Sequence, residues 1–108
     1  MEPALTFEAH LRGVSFRPIE AKAIVNALED GAALTLQRDP HNPYDPNAIQ
    51  VLDPESGEFL GFVAKEVAVD IAPHMDNGVE FDCVVDGRMS ATTVILKITE
   101  VGNVHLSA

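Results

Sequence analysis

Pro40, Pro43 and Pro46 fall within one short stretch, Leu34–Leu52, which reads LTLQRDPHNPYDPNAIQVL. Each proline fixes its own φ and biases the residue before it toward extended geometry, so no helix can run through the segment and its backbone has little freedom. On one side Leu34 and Leu36 alternate with Thr35 and Gln37, and on the other Ile49 and Val51 resume the same period. The stretch therefore reads as a strand, a stiff connection and a second strand, a wide hairpin. Between its prolines stand Arg38, Asp39, His41, Asn42, Tyr44, Asp45 and Asn47. A reversal of direction does not require so many hydrogen-bonding groups, and their density points to a held ligand.

The remaining segments extend this pattern. From Leu5 to Leu11 the apolar Leu5, Phe7, Ala9 and Leu11 alternate with Thr6, Glu8, His10 and Arg12 on the other side, as in a half-buried strand. Gly13 breaks the period, and Pro18 suits the first turn of a helix carrying Ile19, Ala23, Ala27, Ile24 and Leu28 on one face, with Gly31 as its stop. After a turn at Asp53–Gly57, residues Glu58 to Val63 form a short strand in which Gly61 marks a bulge or a close backbone approach. Val67, Ile71 and Met75, with Ala64, Ala68 and Ala72, predict a second helix that covers an open end of the sheet, limited or kinked by Pro73 and closed by Asn77 and Gly78. Val79 to Val85 alternate again, a turn falls around Gly87, and Thr92 to Thr99 make the last strong strand, with the tail from Val101 ambiguous. The expected fold is mostly β with two short helices, a small OB-like antiparallel barrel of about six strands.

At 108 residues and 46% hydrophobic composition, the chain is expected to be one globular domain over 1–108. Its net charge of −10, from 17 acidic against 7 basic residues, disfavours broad adhesion to nucleic acid or to anionic membrane. A small local site is compatible with it, and Arg12, Arg17, Arg38 and Lys65 lie close in sequence to the proline stretch or to strand ends. Cys83 is alone and sits in an alternating segment, which suits a buried thiol. Without a leader-like segment or a long apolar run, a soluble, reducing setting fits best, cytoplasmic or associated with a bacterial nucleoid.

Phosphate-cradling glycine loops, paired cysteines, zinc helices and nucleophile elbows are missing from the sequence, which argues against an enzyme; no cofactor or metal is expected. Asp39, His41 and Asp45 could together serve a metal or acid–base chemistry, but the prolines spoil an EF-hand-like arrangement, and binding ranks above catalysis. Each singled-out residue also has a packing role open to it. Asn42 and Asn47 suit turn brackets, Tyr44 a ring on the barrel rim, Phe16 a core residue of the first crossover, and Arg38 a partner for a carboxylate such as Asp45.

Taken together, RGVSFRP, LQRDPHNPYDPNAIQV and LGFVAKEVA resemble the HIRAN domain, found at the N-terminus of fork-remodelling SWI/SNF-type helicases and as a small stand-alone protein in bacteria and phages. The likeness spans roughly Leu11 to Gly87, and NPYDPNAI is its most specific run. It implies an OB-like barrel whose pocket captures the 3′ end of single-stranded DNA, with Tyr44 and Phe16 as the aromatics around the terminal base and Asp45 as acceptor for the 3′ hydroxyl. Base stacking of about 1–3 kcal/mol tolerates any base, so such a pocket reads an end rather than a sequence. Lys65 matches a basic position of the family. Ser15 stands where the helicase domains carry an arginine, and Phe62 where they carry a histidine. These differences, with the acidic charge, imply weaker and more salt-sensitive DNA binding than in those domains, or a different ligand.

The nucleic-acid-binding set expected on this basis is Phe16, Arg17, Arg38, Asn42, Tyr44, Asp45, Phe62 and Lys65, serving DNA repair or replication-fork processing with a helicase or nuclease as a candidate protein partner. The alternative is a protein-interaction or regulatory module that keeps the fold without DNA-end binding.

Overall fold

Alternation along six segments becomes six strands whose inward faces meet. The structure, a computed structural model, describes residues 4–91 and 93–101. The strands are β1 (Thr6–Arg12), β2 (Ala33–Arg38), β3 (Ile49–Leu52), β4 (Phe59–Val63), β5 (Phe81–Arg88) and β6 (Val94–Glu100), with helices α1 (Ile19–Ala27) and α2 (Lys65–Asp76) and a 3-10 turn at Val14–Phe16. They close into an antiparallel barrel in the order β1-β4-β3-β2-β5-β6, so that each of the described strands has a neighbour on both sides. The core holds Ile49, Val51, Leu60, Leu96 and Ile98 at 0% exposure. Inward and outward faces follow from register: Leu11 and Val63, paired across β1 and β4, are both buried, whereas the next pair, Arg12 with Phe62, faces outward.

The proline hairpin is confirmed. β2 and β3 pair from Thr35 opposite Leu52 to Arg38 opposite Ile49, so the proline segment is the loop that joins them. Gly61 is a site of close approach, because a Cβ there would stand 2.5 Å from the Arg12 carbonyl oxygen. The ladder between β3 and β4 also shifts register beside it, at Val51/Leu52.

Three expectations need correction. The buried face of α1 is Ala21 and Val25, with Ile24 and Leu28 half-buried, while Ile19 is 76% exposed and Ala23 and Ala27 face solvent. Ala21 and Val25, four residues apart, carry the face that meets the core in place of the Ile19–Ala23–Ala27 line. The helix also ends before Gly31, at Ala27. Its last carbonyls are satisfied instead by Arg88, whose Nη2 donates to Val25 O at 2.6 Å, Leu28 O at 2.7 Å and Asn26 O at 3.3 Å.

Gly87 makes no turn between strands. It sits inside β5 at φ 104°, where the register with β6 shifts between Val85 and Arg88, and the chain reverses later, closed by Met89 N–H to Thr93 O at 2.8 Å. The helix α2 runs through Pro73 to Asp76, buries Ala68, Ile71 and Ala72, and packs on β1, β2 and β4. Asn77 and Gly78 (φ 92°) end it as expected. Thr92 and the tail beyond Val101 lie outside the described residues. Cys83 is a buried free thiol, and desolvation pushes its pKa up to about 12. Among the described residues no helix is long and apolar enough to cross a membrane.

Candidate functional site

The β2–β3 loop is built on its own side chains. Asn42 Oδ1 accepts hydrogen bonds from the backbone N–H of Tyr44 at 2.9 Å and of Asp45 at 3.1 Å, and Asn42 Nδ2 donates to Asp39 Oδ2 at 3.1 Å. Asp45 Oδ1 in turn accepts from the Asn47 N–H at 2.9 Å, and Gln50 Nε2 reaches Asp39 Oδ2 at 3.3 Å. These are Asx-type brackets, in which a short polar side chain replaces a backbone turn bond. Asn42 is thus a bracket, whereas Asn47 is held by the Asp45 side chain rather than using its own.

Arg38 braces the loop from below. Its Nη1 donates to Ala48 O at 2.6 Å and its Nη2 to Pro46 O at 2.9 Å, while Nε and Nη2 grip Asp76 of α2 at 2.8 and 3.2 Å. The carboxylate it pairs with is therefore Asp76 rather than Asp45. The bidentate bond from Arg38 holds the Asp76 pKa below its usual value. With these bonds made, Arg38 serves the loop and has little left for a ligand.

The result is a ring displayed on a rigid frame. Tyr44 is 89% exposed, and it borders a cleft of 210 Å³ lined by Asn42, Tyr44, Asp45, Ala48, Phe62, Val63 and Lys65. Tyr44 and Phe62 supply flat apolar faces, Asp45 an acceptor and Lys65 a cation. Asp45 Oδ2 has no hydrogen-bond partner among the described residues, so one carboxylate oxygen remains for a ligand.

A second wall, outside the cleft's lining, is the turn after β1, where a Cβ on Gly13 would stand 3.7 Å from Phe62 Cδ2. Gly13 adopts φ 81°, a left-handed conformation that favours glycine, and starts the 3-10 turn. Two backbone bonds hold that turn, Phe16 N–H to Gly13 O at 3.1 Å and Arg17 N–H to Val14 O at 2.9 Å, with Val14 buried beneath. Phe16 is 88% exposed, so the reading of it as a core residue is corrected. Arg17 donates from Nε to Phe59 O at 3.0 Å and lays its guanidinium 4.0 Å from the Phe59 ring centroid. Phe59 meets Phe62 edge-to-face at 5.0 Å, which connects this wall to the cleft.

Of the eight residues read from the sequence, the structure brings Asn42, Tyr44, Asp45, Phe62 and Lys65 into one cleft. Phe16 and Arg17 lie outside the cleft's lining, at the end of the 3-10 turn that packs on β4, and Arg38 lies behind the loop. Ala48 and Val63, which also line the cleft, were not singled out. Small and apolar, they carry no chemical signal, and only the pairing of β3 with β4 shows their position. Asp39, His41 and Asp45 do not assemble into a metal-binding group, since among the described residues no three His, Cys, Asp or Glu side chains come together.

The HIRAN domain family model matches residues 5–100. The chain belongs to the HIRAN family. The helicase-like transcription factor of Oryctolagus cuniculus is 32% identical to it over 102 residues, covering 88% of this chain and 10% of that protein. The chain spans about a tenth or less of the length of the curated relatives it matches. Among solved structures, the HIRAN domain of human HLTF superposes with a TM-score of 0.72 at 29% identity, over 91% of this chain and 77% of that one. The HLTF HIRAN domain in its DNA-bound conformation gives a TM-score of 0.61 at 31% identity, over 88% and 73%. The HIRAN barrel and the proline-pinned NPYDPNAI loop thus coincide in one molecule, with the loop at the cleft.

Proposed function

We propose that the chain acts over 1–108 as a single, non-enzymatic HIRAN module that binds single-stranded DNA and captures a 3′ hydroxyl end in the cleft beside Tyr44. The observation that carries this reading is the exposed Tyr44 ring adjoining the half-free Asp45 carboxylate, with Lys65 in the same cleft. The existence of a relative, the HLTF HIRAN domain, in a DNA-bound conformation supports it. A terminal base stacks on Tyr44, with Phe62 and Phe16 as further apolar faces, and its 3′ hydroxyl donates to Asp45 Oδ2. Lys65 balances the nearby phosphate charge. Such a module fits DNA repair or fork processing beside a helicase or nuclease, in a cytoplasmic setting that suits a free buried thiol.

The test is titration of a short 5′-labelled oligonucleotide bearing a free 3′ hydroxyl against the same strand ending in a 3′ phosphate. Tighter binding of the hydroxyl end is expected, because a terminal phosphate meets the Asp45 carboxylate. Equal affinity, or none at low salt, overturns end recognition.

A second reading, a protein-interaction module that has lost the DNA site, is favoured by the engagement of Arg17 and Arg38 in internal bonds against a net charge of −10. It predicts that neither oligonucleotide binds and that Tyr44→Ala changes nothing in the titration.

A further inference from the structure

Arg12 closes β1 and stands directly opposite Phe62 of β4. The preceding pair, Leu11 and Val63, points into the barrel at 2% and 3% exposure. Side chains alternate along a strand, so Arg12 and Phe62 share the outer face, with directly opposed β-carbons about 4.5–5.5 Å apart. Phe62 lines the cleft. Arg12 therefore flanks the cleft across Phe62 from Gln50, the residue paired with Phe62 on its other side.

The other arginines are occupied. Arg17 is laid on Phe59, Arg38 is bonded to Asp76 and two loop carbonyls, and Arg88 caps α1 and holds Ala91 O. The Arg12 side chain is exposed and makes no hydrogen bond or ion pair among the described residues. Its root is held by the strand, and its five donors are available to an oxygen ligand. The acid on the same face of β1, Glu8, stands opposite Lys97 of β6, so it has a cation of its own nearby.

The two flanks of Phe62 differ in charge. Toward β3, Gln50 is neutral and its amide is bonded to the Asp39 carboxylate, which repels a phosphate. Toward β1 there is a free guanidinium. We infer that Arg12 forms a phosphate subsite beside the cleft, binding a backbone phosphate of a single strand whose terminal base occupies the cleft, so that the strand leaves over Phe62 toward β1. This inference rests on the reading of the cleft as a nucleotide site. It names the cation that Ser15 cannot supply and gives the strand a direction across the barrel.

Arg12→Gln removes the charge and keeps a polar side chain, and Arg12→Lys restores the charge. With a 5′-labelled oligonucleotide carrying a free 3′ hydroxyl, Arg12→Gln weakens binding about tenfold. The slope of log K against log salt falls by about 0.7, the loss of one phosphate contact on a single strand. Arg12→Lys keeps the slope, and all three proteins melt alike. Neutral methylphosphonates placed one at a time at the last three linkages identify the contact: at that linkage, the parent and Arg12→Gln bind equally. Tyr44→Ala is measured alongside. If Tyr44→Ala loses binding while Arg12→Gln keeps the parental affinity and slope, the Arg12 subsite is overturned and the cleft stands. If the parent itself fails to bind at low salt, or Tyr44→Ala binds as the parent does, the cleft reading falls and the subsite with it.

Discussion

The loop from Asp39 to Ala48 carries Tyr44 on a frame of side-chain bonds, whereas the turn from Gly13 to Arg17 carries Phe16 on two backbone bonds and one stacked arginine. Both present an aromatic ring to solvent, at 89% and 88% exposure. They differ in what fixes the backbone beneath it. In the loop, three prolines and the Asn42 and Asp45 brackets leave Tyr44 and Asp45 few alternative positions, so little ordering remains to be done on binding. The turn has no such bracket and rests on the buried Val14 and on Arg17. The same exposed ring can thus stand on a preorganised or on an adaptable support, and exposure alone does not distinguish them.

The largest disturbance to both walls is expected at their shared junction. Gly61→Ala places a Cβ 2.5 Å from the Arg12 carbonyl oxygen and 3.0 Å from Leu11 Cδ1, between the strand that carries Phe62 and the strand that leads into the turn. It should cost about 3 kcal/mol, a fall in Tm of more than about 10 °C by thermal denaturation. A parental Tm would show that β1 and β4 can part there without loss.

Asn42→Ala strikes the braced wall alone. It strips the acceptor from the Tyr44 and Asp45 amides and one donor from Asp39, and about 2 kcal/mol of stability should go with it in urea denaturation. Oligonucleotide affinity should drop in the same protein, although the substitution leaves both aromatic rings in place. Retained affinity would mean that the prolines suffice to hold the loop.

The rings themselves come next. On the proposed function, Tyr44→Ala should weaken oligonucleotide binding by about 1–3 kcal/mol, and Phe16→Ala by the lower end of that range, since its support is the looser one. Both variants should melt with the parent, because neither ring is buried. A larger loss at Phe16 than at Tyr44 would invert the comparison.

The smallest effect concerns the strut behind the loop. The Arg38 bond lowers the Asp76 pKa from 3.8, so the ion pair contributes its full stability above that pH and loses it as pH falls below 3.8 through the folded-state value. Parent and Asp76→Asn should therefore differ slightly in stability at neutral pH and converge in acid. Curves that remain parallel through the acid limb would show that the pair contributes nothing, as many exposed ion pairs do.

Period-2 alternation marked where each strand lies, and the prolines marked the loop that joins β2 to β3, because both signals are local properties of the backbone. The Tyr44–Asp45 pair was legible for the same reason: its bracket, Asn42, lies within three residues. Ring closure, and with it everything that depends on register, was not. Arg38 finds Asp76 across 38 residues, Arg88 caps a helix at separations of 60 to 63 residues, and the face of α1 that meets the core depends on what the barrel offers it. Gly87 has the same signature whether it turns a strand or bulges it, and the pairing of β5 with β6 decided for the bulge. Arg12 shows the division most clearly. Alternation along the sequence already sets it on the polar face with Thr6, Glu8 and His10, but only the pairing of β1 with β4 puts it beside Phe62.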